Sequence, residues 1–454
     1  MSSHVQKENK MGTMPVPKLL FQMSIPMMLS MLVQALYNVI DSIFVAQINE
    51  NALTAVSLAF PLQNLMISIA VGTGVGVNAL LSRSLGEKNM KAVQDTARNG
   101  LFLSVASFIV FALFSLIIIK PFLSFQTNDS QILEYGTTYL RIVTLLSAGV
   151  FMGIMLERLL QATGRTFYTM LSQGFGAIIN IIFDPILIFG LLGFPRMGVA
   201  GAATATVLGQ FCGMFLSLTL NIRYNKDINI NMKSFRPNRN IISGIYAVGV
   251  PSIIMQAIGS VMTFGMNKIL IQFTSTATAV FGVYFKLNSF IFMPIFGLNN
   301  GMVPIVAYNY GARNKQRLMH TVKLSIITAV CVMMVGIALF MLIPGQLLGL
   351  FNASDEMLTI GIPALRIIAL SFLFAGYCIV VGSVFQALGN GVYSLIVSVC
   401  RQLLVILPAA ALLAKVGGLH AVWWAIPIAE LASVTLSTFY FRRIYKEKII
   451  PLSE

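Results

Sequence analysis

Two aspartates lie inside long apolar stretches of the sequence, and their neighbours suit ion chemistry. Asp41 stands in ALYNVIDSIFVA with Tyr37 four residues earlier, and Asp184 stands in AIINIIFDPILIFG with Asn180 four residues earlier. Residues four apart share one face of a helix, so each carboxyl group has a polar neighbour one turn away. A charge at the centre of a membrane helix costs about 2.5–3.5 kcal/mol and persists mainly where it is paired, hydrated or functional. The pattern predicts a site for H⁺ or Na⁺.

Two further residues extend this predicted site. Pro185 follows Asp184 directly, and because proline has no N–H, the carbonyl of Ile181 loses its helical hydrogen bond. That carbonyl is then available to a cation or a water molecule. The alternative is structural, with Asp184 satisfying only the broken turn. Gln34 lies on the Tyr37–Asp41 face, two turns before Asp41, and is a candidate for a substrate cavity.

The elements that must hold these residues are membrane helices. Of the 454 residues, 57% are hydrophobic and only 10% are charged, whereas soluble proteins average about 25% charged residues. Apolar stretches of the roughly 20 residues needed to cross a bilayer recur along the chain. We therefore expect an all-α integral membrane protein. The sequence predicts twelve helices, at residues 17–46, 52–82, 98–119, 133–158, 166–192, 198–222, 242–272, 277–309, 321–343, 358–388, 393–414 and 419–441.

The chain matches itself when it is displaced by 225 residues. The matched pairs are Pro26 and Pro251, Gly76 and Gly301, Gly86 and Gly311, Gly136 and Gly361, Arg141 and Arg366, Gln161 and Gln386, Ala162 and Ala387, Gly164 and Gly389, and Tyr168 and Tyr393. Six helices per copy predict two parallel bundles related by a pseudo-two-fold axis along the membrane normal. We place the bundles at residues 1–222 and 242–454, joined by a cytoplasmic linker at 223–241.

The two copies differ in their intramembrane charges. Where the first copy has its two aspartates, the second has Met266 and Ala409, and Lys268 and Lys286 stand where the first copy is neutral. This asymmetry predicts that ion coupling belongs to the first bundle. The two lysines could set the electrostatic potential of a cavity or pair with the aspartates, and the sequence leaves both open. Glu430 and Arg401, in the last two predicted helices, are expected to form a structural salt bridge.

The charge distribution predicts orientation. The chain has a net charge of +15, and with the N-terminus inside, 22 Lys and Arg fall in cytoplasmic segments against 3 in outside loops. This bias follows the positive-inside rule, so both termini are expected in the cytoplasm and no nucleic-acid partner is expected. We expect a functional monomer in a bacterial inner membrane. Glu157 and Arg158, near the cytoplasmic end of the fourth predicted helix, are expected to reach the membrane interface.

The sequence carries few features of an enzyme. His4, His320 and His420 have no metal-site or triad spacing, and no phosphate-binding G-x-x-x-x-G-K-[ST] motif is present. We therefore expect no cofactor, no resident metal and no ATP hydrolysis. Methionine repacks easily and aromatic faces attract cations, so such residues suit a cavity for varied organic cations. The candidates, besides Gln34, are Phe175, Met255, Tyr284, Phe285, Lys286 and Met293.

Several stretches together resemble the multidrug and toxic compound extrusion (MATE) transporters, and most closely their DinF/MepA-like branch. They are DPILIFG (residues 184–190), GVAGAA (198–203) and PIVAYNYG (304–311). The resemblance covers nearly the whole chain. It implies two six-helix bundles around a central cavity, and drug efflux coupled to inward flow of H⁺ or Na⁺. It also implies coupling roles for Asp41 and Asp184, with Tyr37 and Asn180 beside them and Thr204 or Thr206 completing the cluster.

The chain departs from another branch of that family, in which acidic residues in helices seven and ten of the second bundle are implicated in cation binding. Predicted helices seven and ten contain no acid here, so coupling is expected to rest on the first bundle. A second function stays open, the flipping or export of a lipid-linked or oligosaccharide substrate. Lys268, Lys286 and Arg401 keep it open, because such relatives carry a strongly cationic cavity.

Overall fold

A computed structural model of the chain describes residues 9–233 and 235–453; His4 and the rest of residues 1–8 lie outside it. The described residues are predominantly helical and contain no β-strand. The helices are α1 (Lys10–Thr13), α2 (Val16–Ala46), α3 (Glu50–Gly86), α4 (Met90–Ser124), α5 (Ser130–Leu145), α6 (Ala148–Ala162), α7 (Thr166–Phe189), α8 (Val199–Tyr224), α9 (Arg239–Leu270), α10 (Ser275–Gly311), α11 (Lys315–Leu342), α12 (Pro344–Gly349), α13 (Asp355–Ala369), α14 (Phe372–Ala387), α15 (Gly391–Val399), α16 (Leu407–Val422) and α17 (Ala425–Ile444).

These helices confirm the prediction of an all-α membrane protein. Nine helices of the described chain are long and apolar enough to cross a bilayer, and two bent helix pairs bring the number to eleven. The twelfth predicted helix, at 419–441, corresponds to α17, which carries the buried acid Glu430. The sequence did not predict the short helices α1 and α12 or the breaks inside the fourth and tenth predicted helices.

The two breaks divide predicted spans into bent pairs. The axes of α5 and α6 differ by 46°, and those of α13 and α14 by 50°. At the first break the hydroxyl of Ser147 donates to the carbonyl of Thr144 at 2.7 Å, and at the second Ser371 donates to Ile368 at 2.6 Å. A side chain that takes over a backbone carbonyl in this way competes with helical hydrogen bonding and favours a bend. The second break lies about 225 residues after the first, so the bend belongs to the repeat.

The two Gln-Ala-x-Gly segments, at residues 161–164 and 386–389, form tight turns between helices. Gly164 and Gly389 adopt φ values of +84° and +79°, a region that glycine enters without a steric penalty. In each turn the glycine N–H donates to the carbonyl three residues earlier, that of Gln161 at 2.9 Å and that of Gln386 at 3.0 Å. The turns connect α6 to α7 and α14 to α15.

The glycines of the other matched pairs have two different roles. Gly86 and Gly311 are the last residues of α3 and α10, a position at which glycine commonly ends a helix. Gly76 lies inside α3, where an added Cβ would stand 2.1 Å from the carbonyl oxygen of Ile245 in α9. Gly301 lies inside α10, where an added Cβ would stand 2.5 Å from the hydroxyl of Ser24 in α2. These two glycines therefore permit helices to pack closely and do not end a helix.

The eleventh predicted helix, at 393–414, is not a regular α-helix. Between α15 and α16, the segment Cys400–Ile406 is a π-helix that contains Arg401. Such segments are rare and occur frequently at functional sites. α16 is interrupted at Gly418, whose φ is +68°. A second π-helical segment, Tyr445–Ile449, follows α17.

The described chain forms two compact units. One contains the described residues of the stretches 1–28 and 254–454, and the other comprises residues 29–253. Their boundaries fall inside α2 and α9, because the first part of α2 packs on α10 and the first part of α9 packs on α3. The boundaries of the predicted bundles, 1–222 and 242–454, stay a prediction. Within the unit of residues 29–253, the predicted linker is tied to the start of α7 by the Arg165–Asp227 salt bridge of 2.6 Å.

Candidate functional site

The site is built on the apolar core of the unit formed by residues 29–253. Val45 and Ile188 are fully buried members of that core, and each lies one helical turn after one of the two aspartates. α2 therefore presents Asp41, and α7 presents Asp184, from faces that also pack into the core. Asp184 has an exposed fraction of 0%, so its carboxyl group is removed from bulk solvent.

The two carboxyl groups are brought into contact with each other. The side chains of Asp41 and Asp184 lie close enough to hydrogen-bond to each other when one of them carries a proton. An ionised carboxylate can only accept a hydrogen bond, so such a bond forms only in the protonated pair. Oδ1 of each aspartate is also buried without a hydrogen-bond donor from the described protein. The pair therefore has the capacity to hold one proton and to accept further donors or a cation.

Asn180 links this pair to α8. In the amide orientation that matches donors with acceptors, its nitrogen donates to Asp184 Oδ2 at 3.3 Å. Its oxygen then accepts from the Thr206 hydroxyl at 3.3 Å and from the Thr206 N–H at 3.1 Å. Close approach of the helices makes this possible, since an added Cβ at Gly209 in α8 would stand 2.6 Å from the carbonyl oxygen of Gly176 in α7. A small residue at this crossing fixes Asn180 against Thr206.

Two tyrosines complete the surroundings of the carboxyl groups. Tyr37, one turn before Asp41, and Tyr139, from α5, both lie close enough to interact electrostatically with the two aspartates. Tyr139 has an exposed fraction of 2%, and its hydroxyl lies 3.4 Å from Oε1 of Gln63 in α3. The sequence did not predict Tyr139 or Gln63. The position that matches Tyr139 in the second copy is Ala364, so comparing all polar residues between the copies would have found it.

The two threonine candidates occupy different positions. Thr206 contacts Asn180, whereas the hydroxyl of Thr204 donates to the carbonyl of Ala200 in its own helix at 2.7 Å. The structure thus brings together Asp41, Asp184, Tyr37, Asn180 and Thr206. The hydroxyl of Thr204 is instead hydrogen-bonded to the backbone of its own helix. Their roles in coupling stay predictions.

Phe175 and Gln34, candidates for the substrate cavity, are both exposed in the unit of residues 29–253. The other candidates belong to the second unit. Tyr284 is buried and stacks on Phe281 at 6.0 Å between ring centroids, and the ring of Phe285 lies edge-on to Phe281 at 4.9 Å. These rings form one aromatic cluster, so Tyr284 and Phe285 are positioned together.

The remaining three candidates have separate surroundings. Lys286 is exposed, with its ammonium 5.7 Å from the centroid of the Phe351 ring. The sulfur of Met255 lies 3.9 Å from Nε2 of Gln386, and Met293 is half-buried in α10. Within the described chain, these contacts do not join the three residues into one binding surface. Their role in a cavity stays a prediction.

The second unit contains a buried acid of a different kind. Glu430 Oε1 lies 2.6 Å from Arg401 Nη1, which confirms the expected salt bridge. The exposed fraction of Glu430 is 3%, and Tyr284 and Cys378 lie within electrostatic range of the pair. The π-helical segment Cys400–Ile406 carries Arg401 to this position. The acid of this unit is therefore neutralised by an arginine.

The expectation that Glu157 and Arg158 both reach the membrane interface is wrong for Arg158. Arg158 does not reach the membrane interface, because its exposed fraction is 8% and its Nη1 donates to Gln161 Oε1 at 2.9 Å. Its aliphatic stem packs on Gly74, where an added Cβ would stand 2.7 Å from Arg158 Cγ. Glu157 accepts a hydrogen bond of 2.7 Å from Gln173. A small residue on a neighbouring helix thus creates space for a buried arginine, which helix position alone does not predict.

Comparison with known proteins identifies the family. A sequence profile of the family described as MatE matches residues 26–186 and again residues 251–411, together more than half of the chain. The chain belongs to the MatE family. The second matched segment is the first displaced by 225 residues, so the family profile recognises the same repeat. The two aspartates of the site both fall within the first match.

Relatives in the MatE family extend over nearly the full length of the chain. The multidrug export protein MepA of Staphylococcus haemolyticus (strain JCSC1435) is 27% identical over 424 residues, covering 93% of this chain and 92% of that protein. MepA of Staphylococcus aureus (strain MSSA476) is 25% identical over 417 residues, covering 92% and 91%. These matches agree with the DinF/MepA-like resemblance. The relatives are transporters, so this MatE member is a transporter and not an enzyme.

Solved structures of MatE relatives share the fold. An outward-facing multidrug resistance MATE family transporter of the MOP superfamily is 26% identical, with a TM-score of 0.90 over 98% of this chain and 99% of that one. A MOP superfamily transporter from Pyrococcus furiosus Vc1 (DSM3638) is also 26% identical, with a TM-score of 0.91 over 99% of both chains. For the latter, reverse polarity of the binding pocket is said to suggest a different function. The prediction of two repeated helix bundles is confirmed by these matches.

Proposed function

We propose that this MatE member exports amphipathic organic cations from the cell in exchange for inward-moving H⁺, by alternating access. The single observation that supports this most is the close approach of the Asp41 carboxyl group to the fully buried Asp184, with no basic side chain among the described groups that act on the pair. Two adjacent carboxylates cannot readily both be ionised, so such a pair takes up a proton or another cation. Family membership supports transport as the activity that uses this ion.

In the proposed cycle, the pair of aspartates binds a proton on one side of the membrane and releases it on the other. A proton bound outside lowers the charge of the pair from −2 to −1, and the pair that shares this proton favours one conformation. Release of that proton to the cytoplasm leaves two negative charges side by side, which disfavours burial and favours binding of a cationic drug. A ligand can shift such an equilibrium only through its different affinity for the two states. The exchange therefore requires that proton and drug stabilise opposite conformations.

The available driving force is sufficient for efflux. One charge moving inward through 100 mV yields about 2.3 kcal/mol, and a tenfold proton gradient adds about 1.4 kcal/mol. Together these sustain a drug gradient of several hundredfold for each proton. Exchange of one proton for one monovalent cation moves no net charge, so the voltage contribution then disappears. The stoichiometry consequently decides how steep a drug gradient the protein maintains.

Sodium is the second candidate for the coupling ion. The carboxylates, the Asn180 amide oxygen, the Thr206 hydroxyl and the Ile181 carbonyl, left without its helical donor by Pro185, are oxygen ligands of the type that hard cations prefer. We favour H⁺ because two carboxyl groups this close to each other can share a proton directly, without moving apart. A sodium ion would instead have to separate the two groups and coordinate them both.

The alternative of a flippase or exporter for a lipid-linked or oligosaccharide substrate receives less support. It was based on the cationic residues Lys268, Lys286 and Arg401. Of these three, Arg401 is paired with Glu430 and is therefore not available to an anionic substrate. A strongly cationic cavity would need such residues to be available to an anionic substrate. We therefore place export of organic cations first.

The test is transport in proteoliposomes with the two ion gradients imposed separately. Purified protein is reconstituted, and uptake of a fluorescent lipophilic cation is followed with a pH gradient alone, a Na⁺ gradient alone, or neither. We expect uptake with the pH gradient only. Uptake that requires Na⁺ would assign the coupling to sodium. The alternative function would be favoured if no uptake occurred under any condition and if an added lipid-linked sugar displaced the fluorescent cation from the protein. We also propose that both termini face the cytoplasm. Cysteines introduced at each terminus should then react with an impermeant thiol reagent only after the cell membrane has been permeabilised.

A further inference from the structure

We propose that a groove near the C-terminal end of the chain binds the phosphate headgroup and part of the acyl chain of an anionic phospholipid. The groove has a volume of about 390 Å³ and lies in the unit that contains residues 254–453. It is lined by the start of α11, the end of α17 and the π-helical segment Tyr445–Ile449. The lining residues are Met319, Thr438, Phe441, Arg442, Tyr445 and Lys446.

The charges at the rim of this groove favour an anion. Arg442 and Lys446 are four residues apart along the chain and both are exposed. In the described chain, neither side chain has an acidic partner within ion-pair distance. Like charges at this spacing repel each other on a helix. The adjacent Arg443, by contrast, is paired with Glu447 at 2.8 Å, so the carboxylate of Glu447 is engaged by another arginine.

A third cation lies next to the same groove. The ammonium of Lys315, one turn before Met319 in α11, is 5.6 Å from the centroid of the Tyr445 ring. A cation over an aromatic face is weakly held and keeps its hydrogen-bond donors available. Three cations around one groove, without an acid among its lining residues, create a positive potential that a phosphodiester would neutralise. Lysine binds a phosphate as a compact positive charge, whereas arginine binds it with the planar set of N–H donors of its guanidinium group.

The floor of the groove distinguishes a lipid from free phosphate. Met319 and Phe441 present apolar surface between the cationic residues. Thr438 supplies a hydroxyl that is paired with the Tyr377 hydroxyl at 3.1 Å. Inorganic phosphate would leave the apolar floor uncovered, whereas an acyl chain would cover it and gain the free energy of removing that surface from water. The combination of a charged rim and an apolar floor therefore matches an amphiphile with an anionic headgroup.

The position in the membrane agrees with this ligand. The start of α11 and the end of α17 lie on the side to which the positive-inside rule assigns the cytoplasm. Basic pockets between membrane helices on that side are recognised sites for anionic headgroups. π-helical segments such as Tyr445–Ile449 also occur frequently where a helix contributes to a binding site. The proposal does not depend on which drug or coupling ion the transporter uses.

The test measures lipid binding to the full chain and to a variant without the two rim charges. Detergent-purified protein is titrated with a short-chain phosphatidylglycerol, with phosphatidylcholine of the same chain length, and with inorganic phosphate, and bound lipid is counted by native mass spectrometry. We expect retention of phosphatidylglycerol by the wild type. For Arg442→Gln combined with Lys446→Gln, we expect binding to weaken about 30-fold, since each basic residue contributes roughly fivefold.

A matched control removes the same charges elsewhere. Lys233→Gln combined with Arg236→Gln alters one exposed lysine and one exposed arginine of the linker, and we expect it to retain wild-type binding. Arg442→Lys combined with Lys446→Arg keeps the charge and should also retain binding, which controls for misfolding of the neutral variant. Equal binding of phosphatidylcholine, equal loss in the linker control, or full occupancy of the groove by inorganic phosphate alone would overturn the proposal.

Discussion

The two units of this protein each bury carboxyl groups in the membrane, but they neutralise them differently. In the unit of residues 29–253, Asp41 and Asp184 contact each other, and their described neighbours are uncharged amide, hydroxyl and phenol groups. In the other unit, Glu430 is held 2.6 Å from Arg401. A carboxylate with a permanent cationic partner has little need of a further cation, whereas a pair of carboxyl groups without one must obtain its positive charge from outside the protein. This difference favours ion exchange at the first site and structural stabilisation at the second.

The largest effect is expected from Asp184→Asn. The substitution keeps the shape of the side chain but removes its ability to exchange a proton, so gradient-driven uptake of a lipophilic cation should fall to the background of empty proteoliposomes. Asp41→Asn should do the same. Asp129→Asn is the control, because Asp129 caps α5 in a loop and asparagine caps helices equally well. Normal uptake by either variant of the pair would remove that residue from the coupling site.

The second effect is on stability and concerns Glu430→Gln. It leaves Arg401 without its anionic partner, which for a buried pair costs about 3 kcal/mol, so the thermal unfolding midpoint in detergent should fall clearly. Arg401→Met combined with Glu430→Leu replaces the pair by apolar groups and should recover most of that loss. The ratio of protons to drug, measured in proteoliposomes, should stay unchanged. A changed ratio with unchanged stability would show that both units exchange ions.

A smaller effect separates the two threonines of α8. Thr206→Val removes the hydroxyl next to Asn180, and a lost hydrogen bond of about 1 kcal/mol corresponds to roughly a fivefold lower rate of ion-driven uptake. Thr204→Val removes a hydroxyl that serves only its own helix in this structure, so uptake should stay near the wild-type rate. The measurement compares the initial uptake rates of the two variants with that of the wild type at equal protein content. The reverse order would place Thr204 at the site instead.

The smallest effect is expected from Tyr139→Phe. Its hydroxyl lies 3.4 Å from Gln63 Oε1, a long contact near the limit for a hydrogen bond. Its removal should change the uptake rate only about twofold, because the apolar ring that packs into the core is kept. Uptake measured across external pH should keep the wild-type profile. Complete loss of uptake would show that the phenol itself carries the proton to the aspartates.

Much of the fold was predictable because apolar length and helix periodicity are local properties of the sequence. Most of the predicted helices and the left-handed turns at Gly164 and Gly389 follow from such signals. The salt bridge between Arg401 and Glu430 was also predictable, since two opposite charges in apolar helices have few other partners. The bends near Ser147 and Ser371 were not, because a serine hydroxyl can satisfy its own helix without breaking it.

The site was predictable only in part. Residues one turn apart on a single helix, such as Asn180 and Asp184, are adjacent by geometry. The contact of Asp41 with Asp184 and the choice of Thr206 over Thr204 depend on how separate helices pack, and glycine contacts such as Gly176 with Gly209 determine that packing. The burial of Arg158 has the same origin, in the space above Gly74. Sequence patterns identify which polar residues can form a site. Which of two nearby candidates contacts the site depends on the distances between helices, which the sequence does not give.

The paired bends of α5 with α6 and of α13 with α14 also give an order of events in the history of this chain. They occur at matching positions of the two copies and have nearly equal angles of 46° and 50°. A shape that both descendants share was inherited from the half-length ancestor, before its gene was duplicated and fused. The acids differ between the copies, so their present distribution arose after that duplication. The bent backbone is thus the older trait, and the present set of acids in each copy was fixed on a scaffold that already existed.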